Sequence, residues 1–191
     1  MSTKKLCAMG LLVALTCVAT MIIQIPIPAT QGYVNIGDSI VLISAIFFGP
    51  QVGFVAGGLG SGLADLLSGY PQWAIATFII KGIEGLVAGM IAHKYSVNKN
   101  FVNVYTILAS VVAMVIMVVG YFLGGSVLEG VSASIGSVPS NAMQAVASLI
   151  IFFVLSLVKC KAKNEENNKA FNSLHSIRWN RTNRSRNALK N

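Results

Sequence analysis

The sequence predicts an all-α integral membrane protein, a bundle of six transmembrane helices with both termini in the cytoplasm. The 191 residues are 54% hydrophobic and only 10% charged, against roughly 25% charged in soluble domains. The mean hydropathy is +0.71. Apolar residues form long runs of about 20, the length of a helix that crosses a bilayer. Thirteen of the fourteen Lys and Arg residues lie in three polar stretches between or beyond these runs.

Four apolar runs are clear candidates for spans: Leu6 to Ile25, Trp73 to Ala92, Val102 to about Gly124, and about Asn141 to Val158. A fifth stretch, Ser39 to Ala64, has no charge but contains the pair Gly49-Pro50 near its middle. Proline in a helix interior removes a hydrogen bond and clashes with the preceding turn. A neighbouring glycine strengthens the turn signal. We therefore predict two short helices in this stretch, which brings the number of spans to six.

The basic residues predict the orientation. They form three groups: Lys4 and Lys5, Lys94 and Lys99, and nine residues from Lys159 to Lys190. Positive side chains favour the cytoplasmic side, and an even number of crossings places all three groups there. Three segments lack Lys and Arg and are predicted to lie outside: about Gln24 to Asn35, Ser68 to Gln72, and Gly125 to Ser140.

Two regions are expected along the chain, a membrane-embedded domain over 1–158 and a basic cytoplasmic tail, expected to be disordered, over 159–191. The tail carries most of the net charge of +8. Such a charge run favours a solvated extension near anionic lipid, and it shows no nucleic-acid-binding motif. The run that follows Lys5 is longer than the apolar part of a signal peptide, so we interpret it as a retained first span.

We expect no cofactor, no metal and no enzymatic activity. The positions of Cys7, Cys17 and Cys160 do not match a disulfide framework or a metal site. The glycine-rich segment 57–62 lacks the Gly-Lys-Ser/Thr ending of a phosphate-binding loop, so ATP hydrolysis is not predicted. The sequence also contains no HExxH pair and no serine elbow.

Charged residues inside the apolar runs are the first candidates for a binding site, because a charge in hydrocarbon is costly. Lys81 and Glu84 lie three residues apart, and this spacing also favours an ion pair between them. Both interpretations stay open. Asp38 is a weaker candidate, and for Asp38 and Asp65 a solvated or capping role near the membrane interface is the favoured alternative.

Further polar side chains lie toward the predicted outer side. Asn141 and Gln144, three residues apart, present amides to the bundle interior in one interpretation. Tyr33, Trp73 and Tyr121 are favoured as aromatic belt residues over ligand-stacking residues. This uneven distribution predicts a cavity that is open to the outside and closed toward the cytoplasm.

Small residues predict close helix packing. Gly10 and Ala14 lie four apart in the first helix, where packing within the chain and an intermolecular surface stay equally open. Gly53, Gly57 and Ser61 form a column in the third helix, for which packing within the chain is favoured.

Several segments resemble one family. They are Tyr-Val-Asn-Ile-Gly-Asp at 33–38, Phe-Phe-Gly-Pro-Gln-Val-Gly-Phe at 47–54, the glycine-rich run at 57–65, and Lys-Gly-Ile-Glu-Gly at 81–85. With six short helices, they make the chain similar to the substrate-binding S components of energy-coupling factor (ECF) vitamin transporters, in the riboflavin-type branch. The resemblance covers about Lys4 to Lys159.

The resemblance implies capture of a water-soluble vitamin or precursor at the plasma membrane of a bacterial-type cell. Riboflavin is favoured, and pyridoxine or a thiamine-precursor pyrimidine are alternatives. It also implies association with a transmembrane coupling (T) subunit, against which Gly10 and Ala14 pack, and with two ATP-binding subunits. Ligand contacts are implied from the first outer loop, which acts as a lid, and from helices four to six. With Asp38 added, the predicted substrate-binding residues are Gln31, Tyr33, Asn35, Asp38, Lys81, Glu84, Tyr121, Asn141 and Gln144.

A different class of function stays open beside this one. Lys81 and Glu84 also suit a proton or ion relay. The alternative is therefore a stand-alone small secondary transporter or channel.

Overall fold

The computed structural model describes residues 3–27, 32–98 and 103–188. Within these ranges the chain forms six helices and one small antiparallel hairpin. In order, they are α1 (Thr3–Ile22), β1 (Ile25–Ile27), β2 (Gly32–Val34), α2 (Gly37–Phe48), α3 (Pro50–Leu67), α4 (Pro71–Asn98), α5 (Val104–Leu128) and α6 (Val131–Ala188). The helical class is confirmed, and the hairpin is an addition that the sequence analysis lacked.

In the described part of the chain, four helical segments are long and apolar enough to cross a membrane: Thr3–Ile22, Pro71–Tyr95, Val104–Leu128 and Val131–Lys161. The shorter α2 is also apolar. It is surrounded by other helices, since Val41, Leu42, Ala45 and Ile46 are fully buried. The number of membrane crossings and the orientation of the termini stay predictions, as does the domain boundary at residue 158.

The predicted break at Gly49-Pro50 is confirmed. Gly49 has a φ of +104°, a conformation that glycine adopts without the steric penalty of other residues. Its N–H donates to the carbonyl of Ala45 at 3.0 Å and closes the end of α2. Pro50 then begins α3, where the missing N–H of proline is tolerated.

The predicted helix bounds on either side of residues 125–140, about Gly124 and about Asn141, are wrong. Helix α5 continues to Leu128 and α6 begins at Val131, with Gly130 between them at a φ of +94°. Two serines of this segment are satisfied inside the helices. Ser126 and Ser137 donate their hydroxyls to carbonyls of the preceding turn at 2.6 and 2.9 Å. Asn141 therefore lies well inside α6 and does not begin it.

Helix α3 packs closely against both α4 and α1 through its glycines. A Cβ atom on Gly53 would lie 2.7 Å from the carbonyl oxygen of Gly85 in α4. A Cβ atom on Gly60 would lie 2.8 Å from the carbonyl oxygen of Val13 in α1. Both distances are too short for a side chain. Gly53 and Gly57, whose Cβ atom would likewise meet the carbonyl of Lys81, show that the glycine column packs within the chain, as favoured from sequence.

The main apolar core joins α2, α4, α5 and α6. Its buried residues are small or unbranched for the most part, which lets the helices approach closely. They are Leu42, Ala45, Ile46, Ala88, Ala92, Ala109, Ala113, Met114, Met117, Ala145 and Phe152. A second cluster joins α1 to α3.

Gly53→Ala is expected to destabilise the protein by about 1 to 3 kcal/mol, because the added methyl group must push α3 away from the α4 backbone. Thermal unfolding of the purified protein in detergent measures the change. Gly10→Ala is the matched control, since a Cβ atom there meets nothing within 4 Å. Equal unfolding temperatures for the two variants would contradict this packing.

Candidate functional site

The β-hairpin is attached to α3 by one tyrosine. Tyr33 pairs with Pro26 in the hairpin, and its hydroxyl donates to Asp65 Oδ1 at 2.6 Å. Its ring lies 4.9 Å from that of Tyr70, centroid to centroid. Burial, followed by the negative charge of Asp65, raises the pKa of Tyr33 above its ordinary value. The hydroxyl therefore stays protonated and remains a donor.

A cavity lies between this hairpin and the helices α3 to α6. Its lining combines aromatic rings, hydroxyls, amides and one carboxylate. The lining residues are Ile27, Tyr33, Asn35, Asp65, Trp73, Thr77, Tyr121, Ser137 and Asn141. The cavity measures about 30 Å³, whereas small-molecule sites typically reach about 300 Å³ or more. An organic ligand therefore requires outward movement of part of the wall.

The aromatic wall of the cavity consists of Trp73 and Tyr121, whose ring centroids are 5.8 Å apart. Trp73 is only 6% exposed, so its interpretation as a belt residue at the lipid interface is wrong. Its indole N–H donates to Glu129 at 3.2 Å. The Tyr121 hydroxyl donates to Thr77 Oγ1 at 3.3 Å. These bonds hold the polar end of each side chain in place.

A buried group of charged and amide side chains, the ion cluster, consists of Asp38, Lys81, Glu84 and Gln144. None of the four is more than 1% exposed. Lys81 Nζ forms an ion pair with Asp38 and another with Glu84 Oε2 at 3.1 Å. Gln144 Nε2 donates to Asp38 Oδ2 at 2.7 Å. The predicted pair of Lys81 and Glu84 is present, and the solvated or capping role of Asp38 is wrong.

Two contacts join the ion cluster to the cavity wall. Gln144 Oε1 accepts a hydrogen bond from the backbone N–H of Asn35 at 2.9 Å. The side chain of Asn35 in turn accepts from the N–H of Gly37 at 2.8 Å and fixes the start of α2. On the other side, Lys81 Nζ lies 5.4 Å from the ring centroid of Tyr121, within the range of a cation–π interaction.

The predicted binding residues therefore fall into two groups. Tyr33, Asn35, Tyr121 and Asn141 line the cavity. The second group is the ion cluster of Asp38, Lys81, Glu84 and Gln144. These four are not among the described residues that line the cavity. Gln31 lies outside the described residues.

Five lining residues are absent from the predicted binding set: Asp65 and Trp73, for which other roles are favoured from sequence, and Ile27, Thr77 and Ser137, which the sequence did not single out. Helical spacing contains a signal for two of them. Thr77 lies four residues before Lys81, and Ser137 lies four residues before Asn141. Residues with this spacing share one helix face. Asp65 has no comparable signal, because its partner Tyr33 comes from the hairpin.

The small residues of α1 lie on the side away from α3. Gly10 and Ala14 are exposed, whereas Met9, Leu12 and Thr16 are buried. The surface around Gly10 and Ala14 is therefore available to another molecule.

The chain belongs to the family of ECF-type riboflavin transporter S components, which it matches over residues 1–161. Members of this family are transport subunits and not enzymes. Together with the four long apolar helices, the match makes the chain a membrane transport protein of the vitamin-uptake class.

The chain is also similar to individual proteins of other organisms. A protein of Pyrococcus woesei, described as an uncharacterized protein in the gap 3′ region, is 42% identical over 70% of this chain and 86% of its own length. The thiamine precursor transporter HmpT of Lactococcus lactis is 28% identical over 80% of this chain and 86% of its own length. A UPF0397 protein of Streptococcus agalactiae is 30% identical over 50% of this chain and 52% of its own length.

Lys81→Met is expected to destabilise the fold by about 3 to 5 kcal/mol, because it leaves the carboxylates of Asp38 and Glu84 buried without their cation. Thermal unfolding in detergent measures the loss. The control is the triple variant Lys81→Met, Asp38→Asn, Glu84→Gln, which removes all three charges and should recover part of the stability. A Lys81→Met protein as stable as the wild type would show that the pairing is not required.

Proposed function

We propose that the chain is the substrate-binding subunit of an ECF-type importer, which captures a water-soluble vitamin or vitamin precursor from outside the cell. The observation that supports this most is the cavity, where aromatic rings and hydrogen-bonding groups converge in a member of this family. Rings of this kind hold flat heteroaromatic molecules, and the polar groups orient them.

Two ligands are supported by different observations. Riboflavin is favoured by the description of the family. A thiamine-precursor pyrimidine is favoured by the similarity to HmpT, and its smaller size requires less opening of a cavity of about 30 Å³. Pyridoxine is a third ligand of similar size and chemistry.

The proposed topology has six crossings, both termini in the cytoplasm, and the cell membrane as its location. The distribution of basic residues supports it, since Lys94 is exposed at the end of α4 distant from the cavity residues Trp73 and Thr77. Helix α2, with 12 residues, is about 18 Å long and shorter than the hydrocarbon core. Because α2 is buried among other helices, its length does not have to match the thickness of the hydrocarbon core.

The residues have distinct proposed roles. Trp73 and Tyr121 contact the faces of the ligand ring, while Asn35 and Asn141 provide amide hydrogen bonds to its edge. Tyr33, with Gln31 near it in the sequence, belongs to the hairpin segment that closes over the ligand. The ion cluster supports the site indirectly, since Gln144 holds the backbone of Asn35 and Lys81 lies against the ring of Tyr121.

The purified full chain should bind riboflavin, the thiamine-precursor pyrimidine or pyridoxine in equilibrium titrations. Asn141→Ala should weaken binding by about tenfold or more, because a ligand group loses its hydrogen bond in a buried site. Ser126→Ala is the matched control, since Ser126 donates within its own helix and is absent from the described lining of the cavity. It should bind as tightly as the wild type.

Two outcomes would contradict the proposal. One is folded protein that binds no member of this panel. The other is vitamin uptake into liposomes that contain this chain alone, which would favour the stand-alone carrier that uses Lys81 and Glu84. Uptake only in the presence of a coupling subunit and ATP-binding subunits supports the importer.

The exposed face of α1 is proposed to dock the coupling subunit, which works with two ATP-binding subunits. Gly10→Leu and Ala14→Leu should each reduce co-purification with a coupling subunit by roughly tenfold, because the larger side chains hold the helices apart. Vitamin binding should stay intact. Ala147→Leu, at an exposed position of α6, is the control and should assemble normally. Unchanged assembly of the α1 variants would remove this face from the interface.

A further inference from the structure

Asp65 presents one paired and one unpaired oxygen inside the protein. It lies near the end of α3 and is 4% exposed. Oδ1 accepts the hydroxyl of Tyr33 at 2.6 Å. Oδ2 is buried and has no hydrogen-bond partner among the described residues. Buried acceptors are nearly always paired in proteins, and an unpaired one needs an explanation.

The position of Asp65 connects this oxygen with the cavity. Among the nine described residues that line the cavity, Asp65 is the only charged one. The nearby cation is already engaged, since Lys81 pairs with Asp38 and Glu84. Among the described residues, no cation therefore lines the cavity beside the carboxyl group of Asp65. This arrangement suits a ligand that donates a hydrogen bond, and it disfavours an anionic group at the same place.

We propose that Asp65 selects the ligand by accepting, at Oδ2, a hydrogen bond from an N–H group on the edge of a heteroaromatic ring. This inference rests on the proposed function and specifies the chemistry of its ligand. An ionised carboxylate is an acceptor only, so the facing edge of the ligand must carry a donor. Hydrogen bonds to ionised acceptors are also stronger than those between neutral groups.

The surrounding residues orient this carboxylate toward the ligand. The hydroxyl of Tyr33 occupies Oδ1 and fixes the rotation of the carboxylate group. Trp73 and Tyr121, with their ring centroids 5.8 Å apart, provide the aromatic part of the same cavity. Asp65 and Asn141 line the same cavity as these rings, and we place the polar edge of a flat ligand ring against them.

The selection is strict because the alternative leaves the buried Oδ2 of Asp65 without a hydrogen-bond partner. A ligand whose N–H is replaced by N–CH₃ cannot donate, and its methyl group faces a buried carboxylate. Sites that are built to hydrogen-bond a ligand group discriminate strongly against analogues that lack the group. The expected penalty is therefore larger than that of an added methyl group in an apolar pocket.

The first test uses the wild-type full chain in detergent and two pairs of probes. One pair is riboflavin and N3-methylriboflavin, and the other is 4-amino-5-hydroxymethyl-2-methylpyrimidine and its 4-dimethylamino analogue. Whichever parent compound binds, its methylated analogue should bind about tenfold or more weakly. Equal binding of parent and analogue overturns the inference and leaves the proposed function standing. If neither parent compound binds, the inference fails; binding of no vitamin at all refutes the proposed function.

The second test separates Asp65 from Tyr33. Asp65→Asn removes the charge and should reduce the discrimination between parent and analogue to about threefold or less, since a neutral amide forms the weaker bond. Tyr33→Phe instead removes the bond between the two side chains and keeps the carboxylate. It should retain most of the discrimination.

Equal loss of discrimination in both variants would show that Asp65 only holds Tyr33, and this would overturn the inference. Unfolding temperatures of both proteins establish that they are folded. The wild-type comparison of parent and methylated analogue decides the question even where a variant does not fold.

Discussion

The close approach of α3 and α4 determines the positions of the residues that form the ion cluster and the cavity. Gly57 lies directly against the backbone carbonyl of Lys81, so any side chain at this point would move α4 outward. Such a movement would separate Lys81 from Asp38 and would also shift Thr77 relative to Asp65. The glycine column is therefore a condition for both the ion cluster and the cavity. The glycines act only by setting the distance between α3 and α4, since they are not among the described residues that line the cavity.

The ion cluster joins three helices at one buried point, with Asp38 from α2, Lys81 from α4 and Gln144 from α6. Burying ions has a large desolvation penalty, so such a cluster is weak support for net stability. Its physical effect is to fix register, because a displaced helix would leave a charge unpaired. The bond from Asn35 to Gln144 extends this register to the segment between the hairpin and α2.

Features that depend on residues close together in the sequence could be predicted from it. The break at Gly49 follows from backbone geometry, and the pair of Lys81 and Glu84 follows from helical spacing. Contacts between distant residues could not be predicted, since Tyr33 and Asp65 are 32 residues apart and Asn35 and Gln144 are 109 apart. The predicted helix bounds at Gly124 and Asn141 are wrong because both helices continue through polar residues beyond the apolar runs, where serine hydroxyls bond to their own helix.

The hairpin has strands of only three residues each, so its own backbone pairing holds it weakly. Side-chain bonds to the helices therefore determine where it lies, and the bond from Tyr33 to Asp65 is one of them. A ligand donor at Oδ2 would share this carboxylate with Tyr33. Each bond then orients the acceptor of the other, and any such coupling acts equally in both directions. Ligand binding would accordingly stabilise the hairpin in its place, and an ordered hairpin would strengthen ligand binding.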